Sequence, residues 1–247
     1  MISKKEKYIS WNKRLLYSIT FIRYGILLNP FSGIIKYIPI TKRCKCEKLI
    51  IMRHGKTIGV ERHEFMSNTS TNTQLSEGGI NDIKKTAKKI NEYNPDVIIV
   101  ATLSRTIDTY EVLKKCLSCN YLLCFSNEMI GIDNGDFEGK CFERLDEDQL
   151  FIFLKRECSH DVFIKTQNGD SWADVIYRSI KVINYINKKF PNKKILLISQ
   201  GSIYQALKIV MHNNNSPWEG YSALKMFNIT NVSSSNNIGY SCLYSLK

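Results

Sequence analysis

Short apolar runs recur along the chain, each closed abruptly by polar or turn-forming residues. Leu49-Ile50-Ile51-Met52 runs into Arg53-His54-Gly55, Val97–Ala101 into Thr102, and Ile195–Ser199 into Gln200-Gly201, while Tyr121–Phe125 forms a fourth run. Continuous apolar runs of this length predict strands buried on both faces. Between them lie segments of helical period. Ser76-Glu77-Gly78-Gly79 opens a helix to about Tyr93, with Ser76 as N-cap and Asn94-Pro95 as its end. Further helices are expected from Leu103 to about Leu117, over Leu145–Glu157, over Ser171–Phe190 and over Ser202–His212. Residues 58–74 and 126–144 read as loops, and strands near 224–229 and 238–244 close the chain. Strands alternating with helices predict an α/β domain with a largely parallel sheet covered on both faces. A length of 247 residues suffices for one such domain with a full core.

The first run carries the most specific chemistry. A glycine after Arg53-His54 permits a tight turn and a close backbone approach to a ligand. Arg53 and His54 are thereby expected together at the carboxyl end of a buried strand, where open α/β sheets bind ligands. Arginine grips a phosphate through two parallel hydrogen bonds. A neutral histidine beside it can attack phosphorus and split one difficult transfer into two easier ones.

Charge changes the picture at one end only. The formal net charge is +12, but residues 1–47 hold ten Lys and Arg against Glu6 and Glu47, which leaves +8 there and +4 over residues 48–247. The basicity belongs to an amino-terminal extension, residues 1–47, preceding a domain of residues 48–247. No basic stripe interleaved with aromatics lies beyond that extension, which argues against nucleic acid as a partner. Within the extension Leu15–Leu28 is apolar and aromatic, yet it holds Arg23 and Gly25 and is shorter than the roughly 20 apolar residues a transmembrane helix needs. Two readings stand: an interfacial helix giving peripheral membrane contact, or a helix or arm packed on the domain. The eight cysteines fit free thiols of a reducing, cytoplasmic compartment. A zinc site from Cys44, Cys46, Cys116 and Cys119 is the alternative, although those spacings match no standard finger.

Six segments resemble, in order, the histidine phosphatase superfamily, the superfamily of phosphoglycerate mutase. They are Leu49–Thr57 with its Arg-His-Gly; Leu75-Ser76-x-x-Gly79; Ala101-Thr102-Leu103-Ser104-Arg105-Thr106-x-x-Thr109; Gly135-Asp136-Phe137-Glu138-Gly139; Gly169-Asp170-Ser171-Trp172-x-Asp174-x-x-x-Arg178; and Ile195–Gly201. The resemblance covers about residues 48–244. It implies a three-layer α/β/α sandwich around a mostly parallel sheet, and neither metal nor cofactor. It also implies that His54 accepts the phosphoryl group, that Arg53 and Arg105 clamp it, and that Gly55, Thr57 and Gly201 complete the phosphate pocket.

Two departures bear on activity. The family places a second active-site histidine where this chain has Gln200, and a glutamine cannot become a cation. Most family phosphatases and mutases place an acid where this chain has Gly131. General acid catalysis is worth about 10²–10⁴ in rate, so Asp133, Asp136, His63 and His160 are the candidate substitutes. The expected function is a phosphatase acting through phosphohistidine and biased to activated phosphates, on a phosphorylated small molecule or phosphoprotein. The alternative is a catalytically impaired member that binds phosphorylated ligands or a protein partner.

Overall fold

A computed structural model of the chain describes residues 26–28, 35–37, 44–65, 73–158, 164–212 and 240–246. Strands β1 (Ile26–Leu28) and β2 (Ile35–Tyr37) pair antiparallel as a separate two-stranded sheet. A helix over Leu15–Leu28 therefore does not extend through its last three residues; the rest of that segment lies outside the described residues. Among the described residues no helix is long and apolar enough to cross a membrane.

The main sheet is built from β3 (Lys48–Arg53), β4 (Val97–Ala101), β5 (Leu122–Ser126), β6 (Lys194–Ser199) and β7 (Leu243–Ser245), in the order β5-β4-β6-β3-β7. All neighbouring pairs are parallel except β3 with β7, which is antiparallel. The strand expected near 224–229 lies outside the described residues. The strand expected over 238–244 is shorter and starts later.

The helices are α1 (Ile58–Glu61), α2 (Glu77–Tyr93), α3 (Ser104–Lys114), α4 (Glu147–Cys158), α5 (Trp172–Lys189) and α6 (Gly201–His212). Their ends follow local chemistry. Ser76 Oγ accepts from Gly79 N–H to start α2, and Asn94 in a left-handed conformation ends it. Ser171 and Asp174 form a reciprocal capping box at α5. Helix α3 stops at Lys114, three residues short of expectation. The stretch read as a loop at 126–144 contains three single-turn 3-10 segments.

The apolar runs of β3, β4 and β6 are buried as expected, whereas on the edge strand β5 Leu122 and Phe125 are exposed. Alternate residues of each central strand enter two separate cores. Leu49, Ile51, Ile99 and Leu197 pack on one face with Ile176, Ile183 and Ile186 of α5 and Ile203 and Leu207 of α6. Ile50, Met52, Ile98 and Ile198 pack on the other with Ile83 and Ile90 of α2 and Tyr110 and Leu113 of α3. Each such residue stabilises the fold by about 1.5–3 kcal/mol relative to exposure. The result is an α/β/α sandwich whose parallel strands all point their carboxyl ends to one side.

Candidate active site

Strand register brings the site together. Arg53 pairs directly with Ser199 across β3 and β6, and His54 N–H donates to Ser199 O at 2.9 Å. Arg53-His54 and Gln200-Gly201 therefore leave the sheet side by side. Strand β4 flanks β6 on the other side, and the turn after it delivers Arg105 in the first turn of α3. Helix α6 likewise begins at Gly201. Two helix amino termini thus face the same strand ends, an arrangement that favours an anion.

His54 is buried, with 3% of its surface exposed. Its Nδ1 lies 2.8 Å from Gly55 O. A carbonyl can only accept, so Nδ1 carries the proton and Nε2 holds the lone pair in the neutral ring. Burial holds the His54 pKa well below the usual histidine value, and the charges of Arg105 and Arg53 push the same way; the hydrogen bond to Gly55 opposes them. The imidazole is therefore neutral at physiological pH, as a nucleophile must be.

Arg105 is 2% exposed. Burial lowers its pKa to about 10, while the nearby Glu138 carboxylate raises it. Its Nε donates to Gln200 Oε1 at 3.2 Å. That bond fixes which end of the Gln200 amide is oxygen. The Nε2 end, buried with its residue at 6% exposure, finds no hydrogen-bond partner among the described residues. A buried amide nitrogen without an acceptor costs about 1–3 kcal/mol, and a bound oxyanion removes that cost.

The turn carrying His54 is pinned from α3. Gly55 N–H donates to Thr109 Oγ1 at 2.9 Å, and Thr109 Oγ1 donates to Arg105 O at 2.6 Å. Thr109, whose role the sequence did not disclose, thus couples the His54 turn to the Arg105 helix. The structure also gives Gly55 a packing role. A Cβ there would lie 2.6 Å from Ile83 Cδ1 and 3.0 Å from Leu75 Cδ2, so glycine lets the turn pack closely against those side chains. Thr57 caps the short helix α1, its Oγ1 accepting from Val60 N–H at 3.3 Å. Gly201 lies beside the Arg53 guanidinium, with 3.8 Å between an added Cβ and Cζ.

The acid side looks different. A Cβ at Gly131 would lie 2.8 Å from Gln200 Cγ and 2.9 Å from its Cβ. The segment is held there by Ser202 Oγ accepting from Ile132 N–H at 2.9 Å and by Arg178 donating to Gly131 O at 2.9 Å. Among the candidate substitutes, Asp133 Oδ1 accepts from Gly135 N–H at 2.8 Å and Asp136 Oδ1 accepts from Asn168 at 2.9 Å. Both carboxylates brace loop turns. His63 is exposed at the end of α1 in a left-handed conformation, and His160 lies outside the described residues. Glu138, which sequence reasoning passed over as a proton donor, is the carboxylate that acts on Arg105.

Tyr240 is the other residue missed. Its ring lies over the Arg53 guanidinium, Cζ 3.6 Å from the centroid, and Arg53 Nη2 donates to its hydroxyl at 2.6 Å. The same ring meets His54 edge-on at 5.4 Å. Among the described residues no three His, Cys, Asp or Glu side chains gather to hold a metal ion.

Residues 49–236 match the family model of the histidine phosphatase superfamily, branch 1. The fold is similar to that of mycobacterial hydrolase 1, at 18% identity and TM-score 0.64, covering 80% of this chain and 89% of that one. It is similar too to the mycobacterial glucosyl-3-phosphoglycerate phosphatase (18% identity, TM-score 0.62, 80% and 88% covered). The alpha-ribazole phosphatase of Shigella flexneri also resembles it (15% identity, TM-score 0.62, 80% and 89% covered). A search of curated proteins finds no match. The family match spans most of the chain and agrees with the fold: this protein belongs to branch 1 of the histidine phosphatase superfamily.

Proposed function

We propose that this protein is a phosphatase that works through a phosphohistidine on His54 and favours substrates whose leaving group needs no proton. The observation that carries the reading is the cluster of buried, neutral His54, half-buried Arg53, buried Arg105 and the buried Gln200 amide, whose Nε2 has no hydrogen-bond partner among the described residues. Two guanidinium groups, a neutral amide and two helix amino termini suit a phosphoryl group carrying two negative charges. In the first step the His54 Nε2 lone pair attacks phosphorus, an N–P bond forms, and the P–O bond to the leaving group breaks with its electrons. In the second step water attacks the phosphohistidine, releasing inorganic phosphate and returning the neutral imidazole after loss of the water proton.

Position 131 sets the substrate preference in this reading. Gln200 fills the space beside Gly131, so no side chain there supplies a proton. Acyl, aryl and phosphohistidine phosphates release a stable leaving group unaided; alkyl phosphates release an alkoxide and require an acid. A second reading, a phosphate-binding member without turnover, also draws on the closed space at Gly131. One experiment separates them. The protein is treated with an excess of an acyl phosphate donor, and acid-labile, base-stable phosphate is counted per chain. Stoichiometric labelling that turns over in water supports the phosphatase. Tight phosphate binding with no label, or a label that never turns over, supports the binder.

A further inference from the structure

We infer that Tyr240 is a positioning residue that fixes the Arg53 guanidinium for phosphate, so that the carboxy-terminal strand completes the pocket; this deepens the phosphatase reading above and rests on it.

Three contacts hold Tyr240 in place. Its neighbour Ser241 is 1% exposed and adopts a left-handed conformation with φ 57°. A residue other than glycine persists there only when its surroundings over-determine it. The surroundings do so here. Ser241 N–H donates to Arg53 O at 3.1 Å and His54 O at 3.4 Å, and Ser241 O accepts from Thr86 Oγ1 of α2 at 2.6 Å. Strand β7 then runs antiparallel along β3, with Leu243 opposite Met52. The left-handed residue therefore sets the Tyr240 ring at the carboxyl end of β3, against the two side chains that end that strand.

The chemistry of the contact is specific to arginine. A planar guanidinium stacks on an aromatic face and keeps its in-plane N–H groups for other partners. Here one N–H goes to the Tyr240 hydroxyl. The face contact and this bond together define the plane of the guanidinium. Arg53 is long and has many rotamers, and a group already held in place loses little freedom when phosphate binds. The edge contact at 5.4 Å gives the same ring a hold on His54, so nucleophile and clamp are oriented by one side chain.

The test is a double-mutant cycle on the full chain, read by the Kd for inorganic phosphate, by kcat and KM on an aryl phosphate, and by Tm. Tyr240→Ala should weaken phosphate binding on the order of tenfold and lower kcat more than it raises KM. Tyr240→Phe, which keeps the stack and loses the hydroxyl, should lose about threefold with an unchanged Tm. In an Arg53→Lys background Tyr240→Ala should change little further, because lysine has no plane to hold. Equal losses in both backgrounds, wild-type binding in Tyr240→Ala, or faster turnover in that variant would each overturn the inference, the last by making Tyr240 a plug. The two readings fail separately. Phosphate affinity that depends on Tyr240 in a protein forming no phosphoenzyme removes the phosphatase and keeps the inference. Phosphoenzyme formation and phosphate binding both indifferent to Tyr240 do the reverse.

Discussion

Arg53 and His54 stand at the carboxyl end of β3 and Arg105 in the first turn of α3, whereas residues 129–139 meet the same pocket as an irregular segment. The first region is rigid by construction. Its backbone is tied by sheet register and by the Thr109 bridge between Gly55 and Arg105. The second is held by side chains from elsewhere: Ser202, Arg178, Asp170 and Arg156. Its own carboxylates at 133 and 136 are occupied in shaping it. In the proposed reading, the groups that hold and attack phosphorus are concentrated on the scaffold, while the side that would protonate a leaving group is given over to packing. On that reading the two halves of a phosphoryl transfer are separable: one is complete in the protein while the other depends on the substrate.

The largest effect expected falls on the first region. His54→Ala should remove phosphoenzyme and turnover altogether, a loss of more than about 10³, with binding of inorganic phosphate largely kept. Retention of half the activity would place the nucleophile elsewhere and dissolve the contrast. Next comes a comparison of substrates in the wild type. Aryl or acyl phosphates should exceed alkyl phosphates in kcat by about 10²–10⁴ beyond any difference in binding, the share that a general acid supplies. Equal rates would show that a proton donor is present. Glu138, the carboxylate acting on Arg105, would then be the residue to change, and Glu138→Gln should lower alkyl turnover alone.

A smaller effect is expected at the seam between the regions. The sequence resemblance leads one to expect a histidine at position 200. Gln200→His offers a cation in place of a neutral amide, and charge-assisted hydrogen bonds are about twice as strong. The gain should appear in kcat for an aryl phosphate, on the order of tenfold. The structure also supplies an opposing term. Gln200 Oε1 accepts from Arg105 Nε, and a protonated imidazole cannot accept. A variant that loses activity while still binding phosphate would mean that holding Arg105 outweighs the added charge.

The two regions also differ in how far they could be read from the sequence. Buried strands at 48–53, 97–101 and 194–199 announce themselves as unbroken apolar runs, because both faces of a central strand are covered. Arg53 and His54 were legible at the end of such a run, while Arg105 and Gln200 were singled out through the family resemblance, which places them at neighbouring strand ends. Thr57 entered through the resemblance as part of the phosphate pocket, and its role as a cap was not legible, since Ile58–Glu61 is one turn and too short for any period. Tyr240 carried no local signal. It reaches Arg53 across 187 residues, through an antiparallel return strand whose register no pattern in the chain specifies. Gly131 stood out in the sequence only as a missing acid; the structure adds that Gln200 lies close against it.

That close approach gives the smallest effect on chemistry and a measurable one on stability. Gly131→Ala places a methyl group 2.8 Å from Gln200 Cγ, 2.9 Å from Gln200 Cβ and 3.0 Å from Ser202 Oγ. The Cβ of Gln200 has no rotamer by which to withdraw, so the backbone of 130–132 or of the β6–α6 turn must shift. Overpacking of this kind costs about 1–3 kcal/mol, which for a chain of this size lowers Tm by roughly 2–4 °C per kcal/mol. Activity on an aryl phosphate should change little, because nothing at 131 takes part. The same clash bears on any attempt to install an acid by Gly131→Glu: the strain precedes any benefit, so the substitution should destabilise the fold before it speeds alkyl phosphate hydrolysis. Should Gly131→Ala instead leave Tm unchanged, the segment is free to withdraw from Gln200, and position 131 becomes open to a proton donor after all. The separation between a finished phosphate side and an unfinished leaving-group side would then rest on the residue present there rather than on the space available.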